Sequence, residues 1–484
     1  MKVLIMGLGL HGGGLESARF LLKRGATLTV TDLRDERTLA PSIERLEAAC
    51  GSGASRVSVR YVLGKHETDD FKNADMVIKN PGARPDSPFL QAARRIETDI
   101  SLFLAAINGG GIRLSAVTGS KGKSSAASAL HWVLARSGGS GKAYLGGNIT
   151  VSPLTFLDDL RSGDDVVLEL SSWQLGDLRG RKAASRHNAD GGPLLKPKAA
   201  VLTAIMPDHL DRYGAMEAYV ADKRVIYQGQ DSGDFTVARN DDWGRSFLAE
   251  SKAAPLAYLD APLPEGVAGG WIEGDGSGFA RLRGGEKPIE LVPARLLVPG
   301  RHQKQNLLAA GLALLGLGLP PEAIREGLGS FPGIEHRLER FHEARGVAFY
   351  NDSAATIPEA AAAALEALGD TNGGGQLILV TGGTDKNLDF SPLVQAVRRA
   401  RGLKAVILLA GTGSDKLRAM LADAGITPLG PFDQIDAAVA AALEAAASGD
   451  RVLLSPGCAS FGMFLNEFDR GLKWKEAVKN ATEY

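Results

Sequence analysis

The segment Val117-Thr-Gly-Ser-Lys-Gly-Lys-Ser-Ser125 combines two glycines, two lysines and four hydroxyl side chains. An apolar run precedes it and a helical pattern (Ala126–Arg136) follows, so it reads as a turn from strand to helix. Gly119 and Gly122 let backbone N–H groups turn inward around phosphate oxygens, and the helix N-terminus adds its positive end. Lys123 is then placed to reach β- and γ-phosphates, and the Ser124 hydroxyl to sit on Mg²⁺. The two glycines are three positions apart, closer than in the standard phosphate loop.

Two further groups stand where a core strand would avoid them. Val166-Val-Leu-Glu-Leu170 is an apolar strand pattern carrying Glu169. A buried carboxylate needs a partner, and phosphate-bound Mg²⁺ would supply one. Ala200–Ile205 runs into Met206-Pro-Asp-His-Leu-Asp-Arg-Tyr213, which sets His209 just after a strand, with Tyr219 and Lys223 on the helix beyond. A loop histidine alone is an ordinary residue. Following a phosphate loop and Glu169, it becomes a candidate for metal binding or proton transfer.

Gly7-Leu-Gly-Leu-His-Gly12 lies between a strand pattern (Lys2–Met6) and a helical one (Gly14–Lys23), with Asp32 at the end of the next strand. By itself this is a dinucleotide-binding fingerprint, and it leaves open which phosphate or ribose docks there. In the last third, Asn351-Asp-Ser353, Gly382-Gly-Thr-Asp-Lys386 and Ser455-Pro-Gly-Cys-Ala-Ser460 each follow an apolar strand pattern. Parallel sheets bind ligands at those strand ends. Cys458 has no neighbouring base and is expected to pack rather than react.

The elements that must position these groups alternate: a short apolar run, a Gly/Asp turn, then an Ala/Leu/Arg-rich helical stretch. That pattern predicts an α/β chain with mostly parallel sheets. Strands are expected at Thr27–Thr31, Met76–Lys79, Arg113–Thr118, Val347–Tyr350, Gln376–Val380, Lys404–Leu409 and Arg451–Leu454, and a helix at Pro358–Leu368. Breaks at Asn108–Gly111 and Phe331–Ile334 divide the chain into 1–108, 109–334 and 335–484. Arg179–Lys198 lacks apolar periodicity and is expected to be a disordered surface insertion. Leu259–Leu291, rich in Gly and Pro, reads as strands and turns.

Composition narrows the function. The 484 residues carry 55 basic and 56 acidic side chains for a net charge of −1, which gives no electrostatic support for binding nucleic acid or an anionic membrane. No apolar run is long enough for a membrane span, and the N-terminus reads as a first strand rather than a signal peptide. Two cysteines, Cys50 and Cys458, suit a reducing cytoplasm.

Taken with Gly146–Asn148, Glu169–Leu175 (ELSSWQL), Asp208–Tyr213 (DHLDRY), Gly300–Asn306 and His336-Arg337, these motifs run in one order across nearly the whole chain. In that order the chain resembles the Mur ligase family, in its D-glutamate-adding branch. The resemblance implies an N-terminal Rossmann-like domain holding the UDP end of the substrate and a central P-loop ATPase domain. A C-terminal Rossmann-like domain would close over ATP and glutamate.

It implies ATP-dependent amide formation between UDP-N-acetylmuramoyl-L-alanine and D-glutamate through an acyl phosphate, by a cytoplasmic monomer. An L-glutamate-adding ligase of the same fold is the alternative. Gly119, Ser120, Lys121, Gly122, Lys123, Ser124 and Ser125 would hold the ATP phosphates. Asn306 would contact adenine, Arg337 the phosphates and Asp352 the ribose. Two Mg²⁺ would use Ser124 with Glu169, and His209 with Lys223, the lysine being carbamylated. Lys123, His209 and Lys223 are the expected catalytic residues. Leu10, His11, Asp32, Arg34 and Asn148 would bind the UDP substrate, and Thr356, Lys386 and Ser460 the glutamate. Two positions depart from the family pattern: Ala354 replaces a lysine, and Asn466-Glu467 replaces an Asn-Phe pair.

Overall fold

The computed structural model describes residues 1–10, 12–50, 58–139, 141–149, 151–183, 191–282, 287–298, 300–369 and 375–483. His11 lies outside the described residues.

Among the described residues three sheets form. The first contains β1 (Lys2–Met6), β2 (Thr27–Asp32), β3 (Arg60–Leu63), β4 (Met76–Lys79) and β5 (Ile96–Glu97), in the order β3-β2-β1-β4-β5. All its pairings are parallel. The second contains β6 (Arg113–Thr118), β7 (Ala143–Gly147), β8 (Asp165–Glu169), β9 (Ala199–Leu202), β10 (Phe235–Arg239) and β11 (Ala254–Leu259). It is completed by β12 (Gly269–Ile272), β13 (Gly278–Arg281) and β14 (Ile289–Val292), and runs β14-β13-β12-β11-β10-β9-β6-β8-β7. It is parallel from β7 to β12 and ends in the antiparallel pairs β12–β13 and β13–β14.

The third sheet has β15 (Glu339–Ala344), β16 (Val347–Asn351), β17 (Leu377–Thr381), β18 (Leu403–Leu409), β19 (Leu429–Phe432) and β20 (Arg451–Leu454), in the order β15-β16-β20-β17-β18-β19. Only the β15–β16 pair among them is antiparallel. The first two sheets belong to one compact unit (Met1–Ala294 and Gln305–Leu328), the third to another (Arg295–Lys304 and Gly329–Tyr484).

Central parallel strands are covered on both faces, so they are apolar throughout rather than alternating. Val3, Leu4 and Ile5 of β1 are all buried, as are Val166, Val167 and Leu168 of β8. That continuity made these strands legible. β3 buries only Val62 and shows no apolar run, which is why it escaped the sequence pattern. The glycine-rich stretch 259–291 supplies the antiparallel end of the second sheet.

The helix after the phosphate loop begins at Lys123, three residues earlier than the sequence pattern suggested, and ends at Leu134. Gly122, with φ 89°, takes the left-handed cap position and lets the helix start at once. Within Arg179–Lys198, residues 184–190 lie outside the described residues. Their flanks are paired: Ala183 N–H donates to the Gly192 carbonyl at 2.8 Å and Leu194 N–H to that of Arg181 at 2.9 Å.

Candidate active site

The phosphate loop leaves the end of β6 and is braced from β9. The Ser120 N–H donates to the Ala204 carbonyl at 2.8 Å, and the Ser120 hydroxyl donates to the Met206 carbonyl, accepts from the Met206 N–H and meets the Tyr219 hydroxyl, each at 2.9 Å. The Ser120 side chain therefore locks the loop rather than facing outward. Gly119 (φ 151°) and Gly122 have no room for a side chain: a Cβ would overlap Thr203 in one case and Asn306 Oδ1 in the other. Lys123 Nζ donates to the Gly119 and Ser120 carbonyls at 3.1 and 3.2 Å, folded back along its own loop. Ser124 and Ser125 are half-buried in the first helical turn.

Glu169 ends β8 and is 1% exposed. Its Oε1 accepts from Asn148 Nδ2 at 2.9 Å, while the buried Oε2 has no hydrogen-bond partner among the described residues. Lys223, also 1% exposed, donates to the Gly119 carbonyl at 2.8 Å and to Thr118 Oγ1 at 3.4 Å. Burial, and then the Lys123 ammonium, push its pKa down to about 7. His209 sits on left-handed backbone (φ 53°), with its ring 4.9 Å from that of Trp173.

Gly119, Lys123, Asn148, Trp173, His209 and Lys223 help to line one cavity of about 470 Å³, whereas Ser124, Ser125 and Glu169 are not among its described lining residues. Its opposite wall is the end of the first sheet, at Gly13, Asn80, Pro81, Gly82 and Asp99. A second cavity of about 770 Å³ opens at the carboxyl ends of the first sheet and is lined by Asp32, Arg34, His66, Arg84 and Phe89. Asn80 and Gly82 line both. Asp32 braces the glycine turn, its carboxylate accepting from the Gly9 N–H at 3.2 Å and the Arg34 N–H at 2.9 Å. Leu10, half-buried in that turn, is not among the lining residues described.

The compact unit of the third sheet carries the remaining candidates. Asp352 accepts from the Leu338 N–H at 3.1 Å and from the Ser455 hydroxyl at 2.7 Å, and burial pushes its carboxyl up to about 7. Arg337 is exposed, Thr356 half-buried and Ser460 buried. Lys386 Nζ lies 5.1 Å from the centroid of the Phe461 ring. Cys458 is buried and its thiol is pushed up to about 12, in keeping with a packing role.

Several residues of these sites escaped sequence reasoning. Trp173 lies between His209 and Arg212, whose guanidinium is 4.2 Å from the indole centroid. Arg470, 1% exposed, ties the two strand-end turns of the third sheet together by donating to Ser353 and to the Cys458 carbonyl. Lys79, the last residue of β4, pairs with Asp177. For Lys79 a signal existed: a charge closing an apolar strand, the same anomaly that exposed Glu169.

Residues 1–101 match the Mur ligase MurD-like N-terminal domain, 117–314 the Mur ligase middle domain and 336–458 the Mur ligase glutamate ligase domain. UDP-N-acetylmuramoylalanine–D-glutamate ligases of Treponema pallidum and Roseiflexus sp. are each 39% identical to the chain, across 99% of it and 97% and 99% of their own lengths. The chain belongs to the Mur ligase family. Solved Mur ligases share its fold at low identity. UDP-N-acetylmuramate-alanine ligase MurC of Thermotoga maritima aligns at TM-score 0.56 and 17% identity, covering 99% of this chain and 100% of that one. MurF of Acinetobacter baumannii aligns at TM-score 0.57 and 14% identity, covering 99% and 93%. As a Mur ligase, the chain places its family motifs at the carboxyl ends of β1, β6, β8 and β9, the strand ends that line its two cavities. Among the described residues no helix is long and apolar enough to cross a membrane.

Proposed function

We propose that this Mur ligase joins D-glutamate to UDP-N-acetylmuramoyl-L-alanine at the expense of ATP, in the making of peptidoglycan precursors. One observation carries the reading. Lys123 and Lys223 line a cavity shared with the strand ends of the first sheet, and the Glu169 carboxylate, with a second oxygen unpartnered among the described residues, is held by Asn148 of the same lining. Relatives at 39% identity over the whole chain bear the name of that activity.

The free Glu169 oxygen fits a cation. An unpartnered buried oxygen costs about 1–3 kcal/mol, more when charged, and a metal ion removes that cost. Among the described residues no group of three His, Cys, Asp or Glu side chains converges. Mg²⁺ keeps water and phosphate oxygens as ligands beside a few side chains. Ser124 with Glu169 would hold one ion, and His209 with Lys223 a second. Bound there, the two ions would draw charge from the γ-phosphate and let an anionic carboxylate approach it.

Lys223 fits its part through burial. Near pH 7 a share of its amine is neutral, and a neutral amine can bond CO₂ with loss of a proton, turning a cation into an oxygen ligand. Lys123 would leave its loop carbonyls for the β- and γ-phosphates. The substrate carboxylate then takes the γ-phosphoryl group and ADP leaves. The glutamate amine displaces phosphate from the acyl phosphate, and His209 is the candidate acceptor of the amine proton, a role that competes with its holding the second ion.

Asn306, Arg337 and Asp352 are assigned to the ATP adenine, phosphates and ribose, and Thr356, Lys386 and Ser460 to glutamate. Leu10, His11, Asp32, Arg34 and Asn148 are assigned to the UDP substrate. The working division is 1–108, 109–334 and 335–484, in a cytoplasmic monomer. Phosphate release is measured with UDP-N-acetylmuramoyl-L-alanine, ATP, Mg²⁺ and either glutamate enantiomer. Release with D-glutamate supports the reading, release with L-glutamate alone replaces it by the other ligase, and release with neither overturns it.

A further inference from the structure

Lys79 and Asp177 form an ion pair between the first sheet and the helix Ser172–Leu178 that follows β8, within one compact unit. Lys79 Nζ lies 2.9 and 2.6 Å from the two Asp177 carboxylate oxygens, and the side chains are 3% and 10% exposed. Burial pushes Lys79 down and Asp177 up, each opposed by the other's charge. A pair held against its own desolvation is poor evidence for stability and better evidence for a fixed geometry.

Its place in the chain says which geometry. Lys79 ends β4, and of the three residues that follow it, Asn80 and Gly82 line both cavities and Pro81 the 470 Å³ one. Asp177 lies in the helix Ser172–Leu178, whose first turn presents Ser172, Trp173 and Gln174 to the 470 Å³ cavity. Arg181 clamps the same helix end, donating to the Asp177 carbonyl at 2.6 Å and to Glu97 at 2.6 Å. An exposed ion pair elsewhere, Arg24–Asp158 with side chains 43% and 60% exposed, includes no lining residue of either cavity.

We propose that Lys79 and Asp177 are positioning residues for the ligase reaction: their pair sets the spacing between the Asn80–Gly82 wall and the Ser172–Gln174 wall. Neither touches substrate. The pair fixes where the acyl end of the sugar nucleotide stops relative to the phosphate loop. This inference rests on the assignment of the two cavities to the UDP substrate and the γ-phosphate.

The test compares steady-state kinetics of the full chain as wild type, K79M, D177N, the double variant K79L/D177L, and R24Q as control. Misplacement of reacting groups by about 1 Å costs on the order of 100-fold in rate. K79M and D177N are therefore expected to lose kcat by about that factor, with the KM for ATP held within about twofold. K79L/D177L leaves no unpaired buried charge, so it keeps the wild-type far-ultraviolet circular dichroism and still shows the kcat loss. R24Q behaves as wild type. Wild-type kcat in K79L/D177L, or an equal loss in R24Q, overturns the inference alone. Absence of D-glutamate-dependent phosphate release from the wild type overturns the assignment of the reaction, and the inference with it.

Discussion

The Lys223 amine donates to the Gly119 carbonyl at 2.8 Å, so a helix that follows β9 closes directly onto the phosphate loop that leaves β6. One buried nitrogen thus senses both the loop conformation and the Lys123 charge beside it. Replacing Lys223 with Ala is expected to lower kcat by about 100- to 1,000-fold, the range seen when one charge-stabilising group is lost. Stripping CO₂ from the wild-type buffer should lower the rate, with recovery on adding bicarbonate. A wild-type rate indifferent to CO₂ rules out the carbamate.

Glu169→Gln tests the free oxygen. The amide keeps an acceptor for Asn148 and replaces the unpartnered oxygen with an NH₂ that cannot bind a cation. The Mg²⁺ concentration for half-maximal rate should rise by about 10- to 100-fold, with the melting temperature near wild type. An unchanged Mg²⁺ titration would remove Glu169 from the metal site.

Lys123→Ala should abolish measurable turnover, a loss of about 1,000-fold or more. Single-turnover phosphate release is the readout, and near-normal kcat contradicts the role.

Gly122→Ala should weaken ATP binding. It forces a side chain into left-handed backbone and into Asn306 Oδ1 at once. The strain costs on the order of 1–3 kcal/mol. Calorimetric titration with a non-hydrolysable ATP analogue would show wild-type affinity if Asn306 and the loop were not packed this way.

Asp352 gives the chain a pH-dependent stability. Its carboxyl titrates near 7 when folded and near 4 in an unfolded chain, so the unfolded state ionises first. The stability it contributes is complete below pH 4 and is lost as pH rises to about 7, on the order of a few kcal/mol. Asp352→Asn should flatten that difference; parallel wild-type and variant melting profiles from pH 5 to 8 would refute it.

Sequence legibility followed burial. β1, β8 and β20 announced themselves because both faces are covered and the run is apolar throughout. β3 and β5 did not, since short edge strands carry little apolar signal. In the site, Lys123 was legible from its glycine turn and Glu169 as a charge in an apolar strand, His209 only by its place after both, and Lys223 through the family resemblance. The partners of Trp173, Arg470 and Lys79 were not legible, because they lie 36, 117 and 98 residues away and no local spacing links them, although Lys79 itself stood out as a charge closing an apolar strand. Asp32 was legible as a strand-end acid but not as the brace of its own glycine turn, since a hydrogen bond to the Gly9 N–H leaves no mark in composition.

With the sugar nucleotide reaching across both chambers as proposed, the turn Asn80-Pro-Gly82, whose Asn80 and Gly82 line each of them, gauges the length of its arm. A nucleotide sugar with a shortened arm could anchor fully in the larger chamber and still leave its acid short of the smaller one. Such a truncated compound would occupy the enzyme without turning over, and so act as a competitive blocker rather than a slow substrate.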